Sequence, residues 1–179
     1  DSHVIEPSNL WKDRIDPEFR DRAPYLVHHD DMDQWYADGG RFMFGEIGQS
    51  IQFGTRFENP DELSMKGRYS DAPLGGFDPH THVKDMDLDG VAGGVLYPSM
   101  GLTAYGIPPS DLLSAMFRAY NDWLYDFCHP YPKRLKGIAM INIDDVDDGI
   151  RELQRSAKLG LTGAMIPMVP LEKRYDDPV

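Results

Sequence analysis

The chain has 179 residues, 41% of them apolar, and sets 18 Lys and Arg against 30 Asp and Glu for a formal net charge of −12. That length predicts one soluble globular domain, and that charge excludes the basic surface that nucleic-acid backbones and anionic membranes require. With Cys128 as its one cysteine and no run of 18 apolar residues, the sequence excludes an internal disulfide and a transmembrane helix, so a reducing, cytoplasmic setting is expected.

The chain opens on Asp1-Ser2-His3-Val4-Ile5, read as the end of a strand. Side chains alternate along a strand, so the Asp1 carboxylate and the His3 imidazole fall on the same side. Two such donors at a strand end are the beginning of a divalent-metal site, although these sites take three or four protein ligands. A strand-end aspartate and a surface histidine remain the alternative. Glu6 lies next, at the mouth of this site, either to contact a substrate or to fix the turn before Pro7.

Residues 6–75 differ in texture from residues 76–179. Pro7, Pro17, Pro24, Pro60 and Pro73 interrupt them, and they carry Trp11 and Trp35, two of the three tryptophans. Gln34-Trp35-Tyr36-Ala37 and Arg41-Phe42-Met43-Phe44 flank Asp38-Gly39-Gly40, a hairpin signal. The stretch reads as a long insertion held down by its aromatics. His28-His29-Asp30-Asp31 within it reads as a solvated loop.

Residues 76–179 alternate regularly between helix and strand. Asp78-Pro79 is an N-cap followed by a first-turn proline, and the helix runs to about Leu88. Val91 to Tyr97 is an apolar strand ending at Pro98. Ser110-Asp111 starts a long helix with Leu113, Met116, Phe117, Tyr120, Leu124, Phe127 and Cys128 as its apolar stripe. Leu135 to Ile143 is the next strand. Asp144 or Asp145 caps a further helix with Val146, Ile150, Leu153 and Ala157 on one face, and Gly160 closes it from the C′ position. Leu161 to Ile166 is the last strand. His80-Thr81-His82 mimics a paired-ligand motif, but a helix does not bring i and i+2 side chains together. Cys128 sits at a helix C-terminus, where the dipole disfavours a thiolate nucleophile.

Apolar strands alternating with helices predict a parallel α/β sheet. No glycine-rich phosphate-binding turn comes after any strand, so a nucleotide site has no support.

Several segments together resemble the amidohydrolase-related family, in the branch that includes aminocarboxymuconate-semialdehyde decarboxylase and the resorcylate-type decarboxylases. They are Asp1-Ser2-His3-Val4-Ile5-Glu6-Pro7 with Leu10-Trp11, then Asp85-Met86-Asp87-Leu88-Asp89-Gly90-Val91 and Val95-Leu96-Tyr97-Pro98. Phe117-Arg118-Ala119-Tyr120-Asn121-Asp122-Trp123-Leu124 and Ala157-Lys158-Leu159-Gly160-Leu161 complete the set. The resemblance implies a TIM (β/α)₈ barrel with its active site at the C-terminal ends of the strands. Asp1 and His3 map onto the family's first-strand ligand pair. Tyr97 and Asn142 fall near the C-terminal ends of the second and third strands, where side chains line the pocket in such barrels, with core packing against Pro98 as the alternative for Tyr97.

Only four strands can be counted here, and a barrel of this type takes about 250 residues. The family's fifth-strand histidine and eighth-strand aspartate have no counterpart, and no catalytic residue is identified in this chain. The expectation is therefore the first half of a barrel over 1–179, with an insertion at 6–75. Its expected partners are the missing C-terminal half or a complementary chain, a small-molecule substrate and further copies of itself in a homo-oligomer. The resemblance implies a divalent metal, zinc first and manganese or iron next. It implies hydrolysis of a C–N or C–O bond. Non-oxidative decarboxylation of an aromatic or related acid and a non-catalytic half-barrel subunit are the alternatives.

Overall fold

The structure is a computed structural model that describes residues 2–46, 66–108, 111–168 and 175–176. In chain order its elements are β1 (Ser2–His3), α1 (Leu10–Arg14), β2 (Tyr25–His28), β3 (Asp33–Ala37), β4 (Arg41–Glu46), α2 (Pro79–Leu88) and β5 (Gly94–Tyr97). Then come α3 (Met100–Ala104), α4 (Asp111–Cys128), β6 (Leu135–Met140), α5 (Val146–Leu159) and β7 (Gly163–Met165). β1, β5, β6 and β7 form a parallel sheet in that order, and β2, β3 and β4 form a separate antiparallel sheet. Parallel neighbours need long crossovers. Here α4 supplies the crossover from β5 to β6 and α5 the one from β6 to β7.

The helices begin where local chemistry starts them. The Asp78 carboxylate accepts the Thr81 N–H at 2.7 Å, with Pro79 in the first turn of α2. Asp145 accepts the Asp148 N–H at 2.9 Å at the start of α5. The α4 stripe is buried along its length, with Met116, Tyr120 and Leu124 fully enclosed beside Leu96, Leu135 and Ala139 of the sheet. α4 also completes the sheet's hydrogen bonding. Pro98 has no N–H to extend the β5 ladder, and the Asn121 amide on α4 accepts the Met140 N–H at 2.8 Å and donates to the Met140 carbonyl at 3.0 Å. Its Nδ2 also reaches Glu152 of α5 at 2.7 Å.

The antiparallel sheet is fastened to this frame by aromatics. Trp11 and Trp35 meet edge to face at 5.2 Å, worth about 1 kcal/mol beyond area burial. The Trp11 indole donates to the Met116 carbonyl of α4.

α5 departs from the simple amphipathic reading. Its inward residues are Gly149, Glu152 and Ser156, while Val146, Ile150 and Leu153 are roughly half exposed or more and Ala157 is exposed. The flank bearing Arg155 faces α4, through an ion pair with Asp122. At 100° per residue the apolar stripe falls on the other flank. In a closed barrel that flank adjoins the next helix round the ring.

α1, β2 and α3 have no counterpart in the sequence reading. Helices of five residues carry too few apolar positions to show a period.

Candidate functional site

The ends of β1 and β5 meet side by side. His3 pairs in register with Tyr97, the Val4 N–H donates to the Tyr97 carbonyl at 3.0 Å, and the two rings stand 6.0 Å apart. Leu96 is fully buried against the helices. By alternation Tyr97 and its partner His3 take the other face, which is the lumen side in a barrel. His3 Nδ1 lies 2.8 Å from the Pro98 carbonyl oxygen. A carbonyl can only accept, so Nδ1 carries the proton, and in the neutral ring Nε2 is then the nitrogen with the lone pair. A second hydrogen bond that fixes the tautomer in this way is characteristic of histidine ligands.

Glu6 sits behind this pair and is fully buried. Its carboxylate accepts the backbone N–H groups of Ser99 at 3.2 Å, Met100 at 3.0 Å and Gly101 at 2.8 Å. These are the orphan donors at the start of α3, which has no side-chain cap of its own. Burial pushes the carboxyl up to about 7, against the opposing pull of the three N–H groups. Gly101 makes the approach feasible. A Cβ there would stand 2.9 Å from Met140 Sδ and 3.0 Å from Glu6 Oε1. The Glu6 backbone carbonyl accepts the Tyr69 hydroxyl at 2.9 Å, which ties the segment bearing Tyr69 to the same corner.

His3, Glu6 and Tyr97 thus come together at one rim. Asn142, two residues past β6, is buried, with Nδ2 on Ser114 of α4 at 3.1 Å and Oδ1 accepting the Asp144 N–H at 3.2 Å. Asp1 lies outside the described residues. Among those described, no three His, Cys, Asp or Glu side chains are grouped closely enough to hold a metal ion. The His3 imidazole fits a single ligand position. The described residues do not form a cage.

The other histidines are engaged elsewhere. His80 Nδ1 contacts the Tyr131 hydroxyl at 2.9 Å, and His82 Nδ1 contacts the Gly75 carbonyl at 2.7 Å. His28 and His29 contact Asp33 and Tyr36. Burial pushes the Cys128 thiol up to about 12, away from thiolate chemistry. Sequence reasoning missed the Pro98 carbonyl and Tyr69 as parts of the corner. Both act across long sequence separations and carry no local signal.

A scan against family models and a search of curated proteins find no match. Solved structures do match. One is an amidohydrolase from Mycobacterium avium subsp. paratuberculosis K-10, at 16% identity and a TM-score of 0.72 over 96% of this chain and 49% of that one. Another is a 2,6-dihydroxybenzoate decarboxylase complexed with 2,6-dihydroxybenzoate, at 20% identity and a TM-score of 0.50 over 99% of this chain and 40% of that one. A 2,6-dihydroxybenzoate decarboxylase from Rhizobium matches at 19% identity with the same TM-score and coverages. The chain has the fold of half an amidohydrolase-type barrel. It spans about half the length, or less, of the structures it matches. No helix among the described residues is long and apolar enough to cross a membrane.

Proposed function

We propose that this chain is the first half of a metal-dependent barrel enzyme of the amidohydrolase-related kind, with Asp1 and His3 as two ligands of a divalent cation. The observation that carries the reading is the His3 ring at the C-terminal end of the first parallel strand, with Nδ1 tied to the Pro98 carbonyl, which in the neutral ring leaves the Nε2 lone pair for a cation. Zinc suits a mixed carboxylate and imidazole set best, then manganese or iron. Tyr97 borders the substrate, and Glu6 and Asn142 hold the rim from behind because their polar atoms are already taken. A bound cation would supply Lewis acidity. The remaining ligands and the proton-transfer group belong to the completing half.

Hydrolysis of a C–N or C–O bond in a small organic substrate is the first reading, supported by the higher structural likeness to the amidohydrolase. Decarboxylation of a hydroxybenzoate-like acid is the second, supported by the two decarboxylase likenesses. The surface left open fits a chain that needs completion. Among the described residues β1 and β7 each pair on one side only, and the α5 stripe is exposed. Unpaired parallel edges are a liability for a chain on its own.

The test is to prepare the chain alone and together with a complementary half-barrel, and to measure metal by elemental analysis. Little metal is expected in the chain alone and one tightly bound ion in the assembled protein, lost in His3→Ala. Release of CO₂ from hydroxybenzoates against cleavage of amides, esters or lactones then separates the two reactions. An assembled protein that binds no metal and turns over neither class would leave a non-catalytic subunit.

A further inference from the structure

A second constellation lies between α1 and the antiparallel sheet, joined to the β1–β5 rim through Tyr69. It is a cleft of about 560 Å³ whose walls include Lys12, Tyr25, His28, Asp33, Arg68 and Ser70. None of His3, Glu6, Tyr97 or Asn142 lines it. At its base Asp33 is 2% exposed. Its Oδ1 accepts from His28 Nδ1 at 2.6 Å and from Arg68 Nη1 at 3.0 Å, and its Oδ2 accepts the Tyr69 N–H at 2.8 Å. Burial alone would push this carboxyl up, but the Tyr69 N–H, His28 and Arg68 outweigh it and hold the group below its ordinary value. One buried acceptor therefore orients an imidazole and a guanidinium together. Ligand-binding side chains are held in place by acceptors of this kind.

Cationic and neutral nitrogen donors line the cleft. The chain carries a net charge of −12, and most of its described arginines are paired with carboxylates, among them Arg14 with Asp126, Arg118 with Asp16 and Arg134 with Asp87. Lys12 makes no ion pair among the described residues. His28 Nε2 has no partner there either, because Nδ1 alone is taken by Asp33. Arg68 spends Nη1 on Asp33 and Nη2 on the Asp30 carbonyl, which leaves further N–H donors of its fork. Pro24, Tyr25 and Leu26 give one wall apolar surface for an organic body.

We propose that this cleft is a ligand site for a small oxyanion-bearing molecule, with Lys12 and Arg68 as charge partners and His28 as the oriented third contact. A phosphate or a carboxylate group supplies the same chemistry. Arginine presents its donors as a fork and lysine acts as a point charge.

The test uses the full chain and two probes, inorganic phosphate and succinate, with binding read by two-dimensional ¹H–¹⁵N NMR. Saturable shifts are expected at residues 8–12, 25–28 and 68–70, with millimolar affinity. Whichever probe binds more tightly identifies the headgroup. Lys12→Ala is expected to weaken binding by about ten-fold, which is near 1.4 kcal/mol, and Lys12→Glu to abolish it. Lys12 is exposed and holds no structural ion pair, so both variants are expected to keep the fold, as their spectra will report. Lys84→Glu makes the same change in net charge on α2 and is expected to leave binding unchanged. Equal losses in Lys12→Glu and Lys84→Glu would reduce the effect to overall charge and overturn the proposal. So would binding that survives Lys12→Glu, or no saturable shift with either probe.

Discussion

The Glu6 carboxylate lies 2.8 Å from the Gly101 N–H across 95 residues of sequence. One side chain at the end of the first strand thus serves as the missing cap of the helix after the second. With the His3–Pro98 contact beside it, two adjacent strand ends are clasped at the rim where a barrel of this kind works.

Removing the clasp leaves three N–H groups without their acceptor, two of them buried. An unsatisfied buried donor costs about 1–3 kcal/mol. Glu6→Ala is therefore expected to lose on the order of 3 kcal/mol or more in urea denaturation, and Glu6→Gln less, since its amide oxygen still accepts.

The same residue sets a pH dependence. Its proton is held more tightly in the folded state, because the carboxyl is raised from 4.5 to about 7. Its stabilising contribution is complete below about 4.5 and is lost as pH rises through about 7, an effect on the order of 3 kcal/mol. Stability of the wild type is expected to fall more between pH 5 and pH 8 than that of Glu6→Gln. Parallel curves would contradict this.

Gly149 tests the packing of α5. A Cβ there would stand 2.7 Å from the Asn142 carbonyl oxygen, a backbone atom that cannot swing aside. Gly→Ala in a helix gains about 1 kcal/mol in propensity, but overpacking costs about 1–3 kcal/mol. Gly149→Ala is expected to be destabilising, measured by the urea midpoint.

Two buried polar groups on α4 are expected to behave oppositely. Asn121→Leu removes both partners of the Met140 backbone and is expected to lose about 2–4 kcal/mol. The Tyr120 hydroxyl is buried without a partner among the described residues, so Tyr120→Phe is expected to be neutral or to gain up to about 1 kcal/mol. Thermal denaturation of both variants checks the contrast.

The fold was legible where a signal is local and repeated. The α4 stripe from Leu113 to Cys128 and the caps Asp78 and Asp145 each occupy a few neighbouring positions, and they delimit the strands between them. The direction of the α5 stripe was not legible, because Val146, Ile150 and Leu153 are exposed while the less apolar Gly149, Glu152 and Ser156 are the buried positions. The place of His3 at a strand end was legible from its triplet. Its tautomer was not, since the Pro98 carbonyl that fixes it is 95 residues away. Glu6 was ambiguous for the same reason. No local pattern announces that Ser99, Met100 and Gly101 converge on it. The Asp33 cluster was hidden because its partners His28 and Arg68 lie 5 and 35 residues off on different segments.

The most direct test of the proposed metal role is the nitrogen spectrum of the His3 ring in the assembled, zinc-loaded protein, read by long-range ¹H–¹⁵N correlation. A protonated Nδ1 and an Nε2 resonance that moves when zinc is added are expected. A ring with Nδ1 unprotonated, or an Nε2 signal indifferent to the metal, would contradict that role.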